Sequence, residues 1–414
     1  MRKLIININE LLGVIEDNKH KVSGAMMASV DRIPDAWLLI EGERIKDYGA
    51  MKMLDPALPE SNGTEVIDAS GRLVFPAFCD AHTHMVFPGT REIEYVDKIK
   101  GLSYEEIAQR GGGILNSARR MAEVSEEQLF DEALPRLDLI RSYGTGAVEI
   151  KSGYGLTTET EVKMLRVIKR LKESNPLTIK STFLGAHAFP LEYRNNRKAY
   201  VDKVIHEMLP AVADEGLADY VDVFCDKGFF SVEDTERILE AAARYQMIPK
   251  IHANELDFSG GIQVGVKYNA LSVDHLEYTG DEEIEALLSS ETMPTLLPGA
   301  AFFLGMIDPP VRKMIDRGLP VAMASDFNPG SSPSGNMQLI WSMGCIKLRM
   351  IPEEAFNAIT INGAYAMGIS DEHGSVTRGK LANLVITRQV PNIEYMPYAF
   401  GDNKVETTII RGNK

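Results

Sequence analysis

The 414 residues are enough for a large barrel with a small additional domain, and a core of that size needs no covalent staples. A net charge of −15 argues against non-specific binding to nucleic acid or to an anionic membrane surface. The three cysteines predict no disulfide framework, residues 1–12 do not resemble a signal peptide, and no apolar run predicts a membrane span, so we expect a cytoplasmic protein.

Short strands are predicted near both ends of the chain. They lie at Leu4–Ile8, Ala36–Ile40, Arg44–Tyr48, Ala382–Thr387 and Val405–Arg411. No helices alternate with them, so these segments do not continue the pattern of the central region. We expect them to pair in one small β-sandwich domain made of residues 1–70 and 375–414, which flanks a catalytic domain over residues 71–374.

Between the two ends, apolar runs alternate with helix-length amphipathic segments, as in a parallel barrel. Helices are predicted at Ser103–Arg110, Ile114–Met121, Ser125–Tyr143 and, late in this region, at Pro352–Met367. The predicted fold class is therefore an α/β (β/α)8 TIM barrel. Its strands are the apolar run after Phe75, Gly146–Ile150, Thr178–Leu184, Tyr220–Cys225, Pro249–His252, Leu271–Asp274, Thr292–Leu296 and Pro320–Ala324.

Two histidines follow the first predicted barrel strand. In the stretch FPAFCDAHTHMVFPGTREIE, His82 and His84 are one residue apart, so on a strand both imidazoles point to the same face. Such a pair suits a metal ion, although a surface turn with two histidines is the simpler alternative. Because the carboxyl ends of barrel strands meet at one face, polar residues at the other strand ends predict one metal centre with catalytic partners. Those residues are His187, His252, His275 and Asp326.

This arrangement resembles the amidohydrolase superfamily, whose members carry H-x-H on strand one, histidines after strands five and six, and an aspartate after strand eight. Two-metal members use a lysine at the end of strand four. Here Lys227 is predicted to lie past that strand, which favours a single metal. The resemblance implies one divalent metal ion, zinc or iron, bound by His82, His84, His252 and Asp326.

Further segments add to the resemblance, which covers roughly residues 70–390. VFPGTREIEY, EIKSGYGL, LSVDHLEY and SDFNPGSSPSGNM are similar to the branch of the superfamily that acts on an imidazolone ring in histidine breakdown. This similarity implies a small anionic substrate, 4-imidazolone-5-propanoate, whose ring a metal-activated water opens to N-formimidoyl-L-glutamate. It also implies a homodimer.

The resemblance also suggests which residues carry the chemistry. Glu255, three residues after His252, could move a proton from the attacking water to the leaving nitrogen, and Asp326 is the alternative proton carrier. His275 could donate a hydrogen bond to the carbonyl oxygen as charge develops. The simpler alternatives are a helix N-terminal carboxylate for Glu255 and a buried structural contact for His275.

The propanoate carboxylate needs a cation, and Arg91, in the loop after the first strand, offers a planar fork that suits it. Tyr154 lies between two glycines, where the backbone can approach a ligand. The N–H groups of the run that begins at Gly330 could bind an anion. The full set expected to contact the substrate is Arg91, Tyr104, Tyr154, His187, Glu255, Asn328, Gly330 and Ser331.

Two other functions are compatible with these residues. One is another mononuclear amidohydrolase, such as a deaminase of cytosine- or guanine-like rings. Arg91 and the run at Gly330 argue against it because they favour an anionic substrate. The other is a metal-binding barrel without catalysis, and the complete ligand set together with Glu255 argues against that function.

Overall fold

The computed structural model describes residues 2–16, 19–61, 63–102 and 112–414, and within them fifteen strands form two separate sheets. The first sheet collects strands from both ends of the chain, and the second is made of the eight strands between them. The strands are β1 Arg2–Leu12, β2 Arg32–Glu41, β3 Arg44–Ala50, β4 Thr64–Asp68, β5 Arg72–Pro76, β6 Phe78–Thr83, β7 Thr145–Lys151, β8 Thr178–Ala186, β9 Tyr220–Cys225, β10 Ile248–Ala253, β11 Ser272–His275, β12 Met293–Leu296, β13 Ala322–Met323, β14 Leu384–Gln389 and β15 Val405–Ile409.

The sheet of the chain ends has the order β15-β14-β5-β1-β2-β3, with β4 paired to β1. Both of its faces bury apolar side chains, as the alternation along β1 requires. Leu4 packs with Trp37 on one face, whereas Ile5 and Ile8 pack into a larger cluster on the other. The predicted domain of β-structure from both chain ends is thereby confirmed. The domain limits remain a prediction, and β5, within the span predicted for the barrel, pairs with this sheet.

The eight strands β6 to β13 are parallel and follow one another in chain order, so the predicted barrel is confirmed. The first and last strands approach each other at a bridge between Thr83 and Phe327. The His84 N–H donates to the Phe327 carbonyl over 2.9 Å, and the Asp326 N–H donates to the His82 carbonyl over 3.0 Å. This seam therefore places the polar residues of the first and last strands side by side.

Helices alternate with the barrel strands along the chain. The Ser125 hydroxyl accepts from the Gln128 N–H and caps the helix predicted there. The helices are α1 Glu92–Ile99, α2 Ile114–Glu123, α3 Glu126–Ser142, α4 Thr158–Ser174, α5 Arg197–Lys203, α6 Leu209–Asp214, α7 Val232–Ala243, α8 Gly261–Lys267, α9 Asp281–Leu288, α10 Pro298–Leu304, α11 Val311–Asp316, α12 Met337–Ile346, α13 Pro352–Ile359, α14 Ile361–Ala366 and α15 Tyr395–Tyr398. A π-helical turn, Val204–Met208, joins α5 to α6, and short 3-10 turns lie at Gly24–Ala28, Met51–Met53 and Leu191–Tyr193.

The structure does not confirm two of the predicted helices. The prediction of a single helix at Pro352–Met367 is wrong, because the helix is interrupted at Thr360. The φ of −119° and ψ of −94° at this residue are not helical. The Thr360 hydroxyl donates to the Phe356 carbonyl over 2.7 Å and so replaces the backbone bond that a continuous helix would make. The helix predicted at Ser103–Arg110, which includes Tyr104, lies outside the described residues. None of the helices in the described ranges has the length and apolar character needed to cross a bilayer.

Candidate metal and active site

Three histidines from two strands meet inside the carboxyl end of the barrel. His82 lies on β6, His84 directly follows that strand, and His252 lies on β10. Their candidate ligand nitrogens lie within 4.8 Å of one another, and the Nε2 atoms of His82 and His84 are 3.2 Å apart. All three side chains are buried. The shared face that the i, i+2 spacing predicts is therefore present, and the surface-turn alternative does not apply.

Asp326 completes this group from the segment that follows the last barrel strand. Its Oδ1 lies 3.6 Å from the Nε2 atoms of both His82 and His84. The backbone at Asp326 has a φ of 51°, which is uncommon for a non-glycine residue and turns the side chain toward the histidines. Asn328 braces this turn, because its Nδ2 donates to the Asp326 carbonyl over 2.6 Å and to Ser331 Oγ over 2.7 Å.

Two buried aspartates orient the histidines from behind. Asp274 Oδ2 lies 2.6 Å from His82 Nδ1, and Asp222 Oδ2 lies 3.0 Å from His252 Nδ1, although the latter pair is not aligned as a hydrogen bond. A carboxylate at Nδ1 places the imidazole proton on that atom and leaves Nε2 as a free lone pair. Both histidines therefore present Nε2 as an acceptor toward the centre of the group.

The donor set fits a metal ion. Among the described residues, His252 Nε2 is a buried nitrogen without a hydrogen-bond partner, which is costly unless a further group binds it. Burial lowers the pKa values of His82 and His84 well below their usual range, so both imidazoles are neutral, as metal ligands must be. Three imidazole nitrogens and one carboxylate oxygen suit a borderline divalent ion.

Lys227 does not belong to this group. It lies beyond the end of β9, its side chain is largely exposed, and its Nζ pairs with Asp257 over 2.6 Å. This placement agrees with the prediction that it lies past the strand. The described part of the chain brings one group of three potential metal-binding side chains together, namely His82, His84 and His252.

Glu255 and His275 lie next to the histidine cluster. Glu255 Oε2 is 3.6 Å from His275 Nε2, and the His275 ring is 5.2 Å from the His252 ring. Glu255 precedes α8 by six residues and lies in an irregular loop, so it is not a carboxylate at a helix N-terminus. Asp226 holds this loop by accepting from the N–H groups of Glu255, over 2.7 Å, and of Leu256, over 2.9 Å.

Burial changes the protonation of the carboxyl groups around the centre. It raises the pKa of Glu255 well above its usual range, and the neighbouring Glu277 raises it further. Burial also raises the pKa of Asp326 to about 6, although the nearby His252 opposes the change. A carboxyl group whose pKa approaches neutrality can both take up and release a proton at working pH.

A cavity of about 540 Å³ opens above the cluster and collects most of the predicted site residues. Phe224, Phe229 and Phe303 supply apolar walls. The structure therefore offers a concave, partly apolar site with the histidine cluster at its base. The predicted residues along its lining are His84, Arg91, Tyr154, His187, His252, Glu255, His275, Asp326, Asn328, Gly330 and Ser331.

Arg91 lies on the rim of this cavity, paired with Glu94. Its Nε and Nη2 donate to Glu94 Oε2 over 2.7 and 2.5 Å, whereas its Nη1 makes no hydrogen bond to a described residue. A Cβ atom on Gly330 would lie 2.2 Å from Nη1, so the absence of a side chain at Gly330 lets the guanidinium enter the cavity. Arg91 thus keeps one free donor edge toward the cavity.

The run after Asp326 differs from expectation. The N–H groups of Gly330 and Ser331, expected to be free for an anion, both donate to Asn328 Oδ1 over 2.8 Å. The prediction of available N–H donors is therefore wrong for Gly330 and Ser331, since the Asn328 side chain folds back onto its own turn, and it stays a prediction for Ser332. The wider expectation that Asn328, Gly330 and Ser331 contact the substrate stays a prediction.

Tyr154 and His187 form one wall of the cavity. The His187 ring stacks on the His84 ring at 5.2 Å, and its Nδ1 lies 3.0 Å from the Gly153 carbonyl. A Cβ atom at Gly153 would lie 2.8 Å from His187 Nδ1, which explains the glycine before Tyr154. Burial raises the pKa of Tyr154 and lowers that of His187 to about 3, so both side chains are neutral.

Several side chains of this site were not anticipated from the sequence. Asp222 and Asp274 lie in the apolar runs YVDVFC and LSVDH, where a charged residue inside a strand was the available signal. Glu94 lies three residues after Arg91, a spacing that brings side chains together at the start of a helix. Three more charged side chains, also not anticipated, are buried beside these two aspartates: Glu149, Lys151 and Lys250.

The fold and the site define a barrel protein with a potential metal centre, and comparison with known proteins identifies its family. Residues 73–414 match the model of the amidohydrolase family. The chain is 54% identical over 412 residues to an imidazolonepropionase of Christiangramia forsetii and 55% identical over 412 residues to one of Flavobacterium johnsoniae. Both alignments cover 100% of this chain and 99% of the relative. The chain belongs to the amidohydrolase family and, within it, to the imidazolonepropionases.

Solved structures with little sequence similarity share the fold. A triazine hydrolase variant superposes with a TM-score of 0.75 at 14% identity, covering 100% of this chain and 94% of that one. The guanine deaminase of E. coli gives a TM-score of 0.74 at 14% identity, covering 100% and 98% of the two chains. The barrel and the sheet of the chain ends therefore recur in proteins that act on different rings, so the fold alone does not specify the substrate.

Proposed function

We propose that the protein hydrolyses the cyclic amide of 4-imidazolone-5-propanoate to N-formimidoyl-L-glutamate in histidine breakdown. The observation that carries the proposal is the pairing of a buried three-histidine cluster with a cationic rim in one cavity. Such a site can hold a flat ring at its base and a carboxylate at its edge. The name of the relatives, imidazolonepropionase, supports the same reaction.

One divalent ion, zinc or iron, would be held by His82, His84, His252 and Asp326. When bound, such an ion supplies Lewis acidity, which lowers the pKa of water and stabilises negative charge on an attacked carbonyl oxygen. Asp274 and Asp222 keep two of the histidines in the tautomer that this role requires. Three imidazoles and a single carboxylate do not discriminate between the two metals.

Glu255 carries the proton in this proposal. Its carboxylate takes the proton from the attacking water and returns it to the ring nitrogen as the carbon–nitrogen bond breaks. The raised pKa of Glu255, caused first by burial, makes its carboxylate a stronger base for the uptake step. His275, 3.6 Å from Glu255, donates to the carbonyl oxygen as negative charge grows on it. Asp326 is the alternative carrier.

The carboxylate of the substrate binds at the rim, on the free edge of Arg91. The ring must reach the histidine cluster, so the carboxylate, two methylenes away, lies several ångströms from it. Arg91 meets this requirement because it lines the cavity near Gly330 and does not contact the histidines. Tyr154 and His187, whose rings contact each other at 5.5 Å, form the wall against which the substrate ring packs.

The direct test is to incubate metal-loaded protein with freshly made imidazolone propanoate and follow the ultraviolet absorbance of the ring. We expect the absorbance to fall and N-formimidoyl-L-glutamate to accumulate in equal amount. Guanine and cytosine serve as comparison substrates. Turnover of either ring without turnover of the imidazolone would replace this proposal with a deaminase. Failure on all three would favour a metal-binding barrel without catalysis.

Arg91→Met is expected to raise KM, or lower kcat/KM, for the propanoate substrate about tenfold to a hundredfold. The physical reason is the loss of a charged hydrogen bond worth about 1.5–3 kcal/mol. Arg91→Lys should rescue only part of this, because one ammonium group cannot serve Glu94 and the substrate together. Steady-state kinetics of both variants measure the effect, and metal content should not change.

Lys98→Met is the matched control for Arg91. Lys98 is a second cation along the same cavity, but its Nζ donates to the Phe303 carbonyl over 3.1 Å. We expect a smaller effect on KM from its loss. A neutral amide analogue of the substrate completes the comparison. If Arg91→Met impairs the analogue as much as the acid, Arg91 supports the loop and does not bind the carboxylate.

A homodimer and a cytoplasmic location belong to the same proposal. Both are expectations from the family resemblance and from composition. Light scattering of the purified protein measures the first, and cell fractionation measures the second.

A further inference from the structure

Five charged side chains are buried together inside the barrel, next to the histidine cluster. They come from β7, β9, β10 and β11, and none is more than 1% exposed. Charges at this depth are stable only when each has partners, since desolvation costs several kcal/mol per ion. The proposed function gives the lysines of this group no role. The five are Glu149, Lys151, Asp222, Lys250 and Asp274.

Lys151 contacts both aspartates that lie behind the metal-binding histidines. Its Nζ is 2.8 Å from Asp222 Oδ2 and 3.6 Å from Asp274 Oδ2. These are the same oxygens that lie 3.0 Å from His252 Nδ1 and 2.6 Å from His82 Nδ1. Glu149 Oε1, at 2.6 Å, fixes the other side of the ammonium group. One lysine is therefore joined to two ligand histidines through two carboxylates.

We propose that Lys151 is a positioning residue for the metal centre, which holds Asp222 and Asp274 together and thereby sets the orientation of His252 and His82. The inference rests on the proposed metal site. It adds to that site a group that neither touches the metal nor lines the cavity.

Geometry and simple electrostatics predict opposite effects on metal affinity when Lys151 is removed. A positive charge near a cation site repels the metal, so removing it should tighten metal binding if charge alone mattered. If Lys151 instead holds the two aspartates, its loss frees their oxygens to turn from the histidines, and metal binding should weaken. Outer partners of ligand histidines typically contribute about 10- to 100-fold to metal affinity.

Lys250 provides a matched control within the same group. It is equally buried, and it too binds Glu149, through Oε2. Its other contacts are the carbonyls of Ala81, at 3.0 Å, and Ala366, at 3.2 Å. It lies within ion-pair distance of neither Asp222 nor Asp274 among the contacts of the described residues. Lys151→Met and Lys250→Met thus remove the same charge at the same depth, but only the first removes a direct contact with the two aspartates.

The experiment measures cobalt(II) and zinc dissociation constants by chelator competition for the wild type, Lys151→Met and Lys250→Met, and records the visible spectrum of each cobalt protein. We expect Lys151→Met to weaken both constants about 10- to 100-fold and to alter the cobalt bands. The metal dissociation constants of Lys250→Met should stay within about threefold of the wild-type values. Should Lys151→Met not fold, Lys151→Gln, which keeps the two N–H donors of an amide group, is expected to weaken binding by a smaller factor.

Three results would overturn this inference and leave the proposed metal site intact. They are an unchanged metal affinity in the folded Lys151 variant, a tighter metal binding in it, or an equal weakening of metal binding in the Lys250 variant. The last result would mean that any loss of buried charge disturbs the site. A wild-type protein that binds neither metal would be a different failure. It would overturn the proposed metal site, and this inference with it.

Discussion

We expect Glu255→Gln to lower kcat by about 10²–10⁴, the usual contribution of general acid–base catalysis, while metal content and KM stay close to the wild type. The change keeps the size of the side chain and removes its ability to exchange a proton. The backbone contacts of Glu255 with Asp226 do not depend on the side chain, so the loop should keep its shape. Single-turnover kinetics with metal-loaded protein measure the loss.

Glu277→Gln is the matched control for this variant. Glu277 is also buried, and its Oε2 lies 4.0 Å from His275 Nδ1, but it does not line the cavity. Burial raises its pKa to about 8, so it too carries a perturbed carboxyl group. Its replacement should reduce kcat far less. Near-normal kcat in Glu255→Gln would assign the proton transfer to Asp326 or to solvent.

His252→Ala is expected to remove both metal and activity. It deletes one of the three clustered imidazoles and leaves Asp222 without its neighbour at 3.0 Å. With two histidines and one carboxylate remaining, the affinity for zinc should fall far enough that the protein is purified largely without metal. Metal analysis of the dialysed protein gives the stoichiometry, which should be about one per chain in the wild type.

His187→Ala is the control for metal content. The His187 ring stacks on that of His84, but its Nδ1 faces the Gly153 carbonyl, and it is not part of the three-histidine group. Its loss should leave the metal bound. Two metal equivalents in the wild type, or full occupancy in His252→Ala, would contradict the single site assigned here.

The barrel and the histidine cluster could be predicted because they rest on patterns that lie along the chain. The alternation of strands and helices places the carboxyl ends of all the strands at one face of the barrel. The spacing of His82 and His84 makes both side chains point to the same side of their strand. The carboxylates behind them could not be paired in the same way. Asp222 meets His252 from the neighbouring strand β9, whereas Asp274 on β11 meets His82 on β6 across the inside of the barrel, and no local pattern encodes either contact.

The remaining differences arose where a side chain competes with the backbone for hydrogen bonds. Thr360 takes the carbonyl of Phe356 and breaks a helix, and Asn328 takes the N–H groups of its own turn. Arg91 lines the cavity, but its pairing with Glu94 depends on where α1 begins. Such local competition is decided by surrounding packing more than by residue type.

The seam between Asp326 and His82 has a consequence for the order in which the protein folds. These residues close the barrel, and the backbone bonds between them join its first and last strands. Contacts between such distant parts of the chain form late, because the loop entropy of all intervening strands must be overcome first. The complete ligand set therefore exists only once the barrel has closed. A metal ion held by the proposed ligands would stabilise the closed barrel and would prolong the lifetime of the native state more than it would speed its formation.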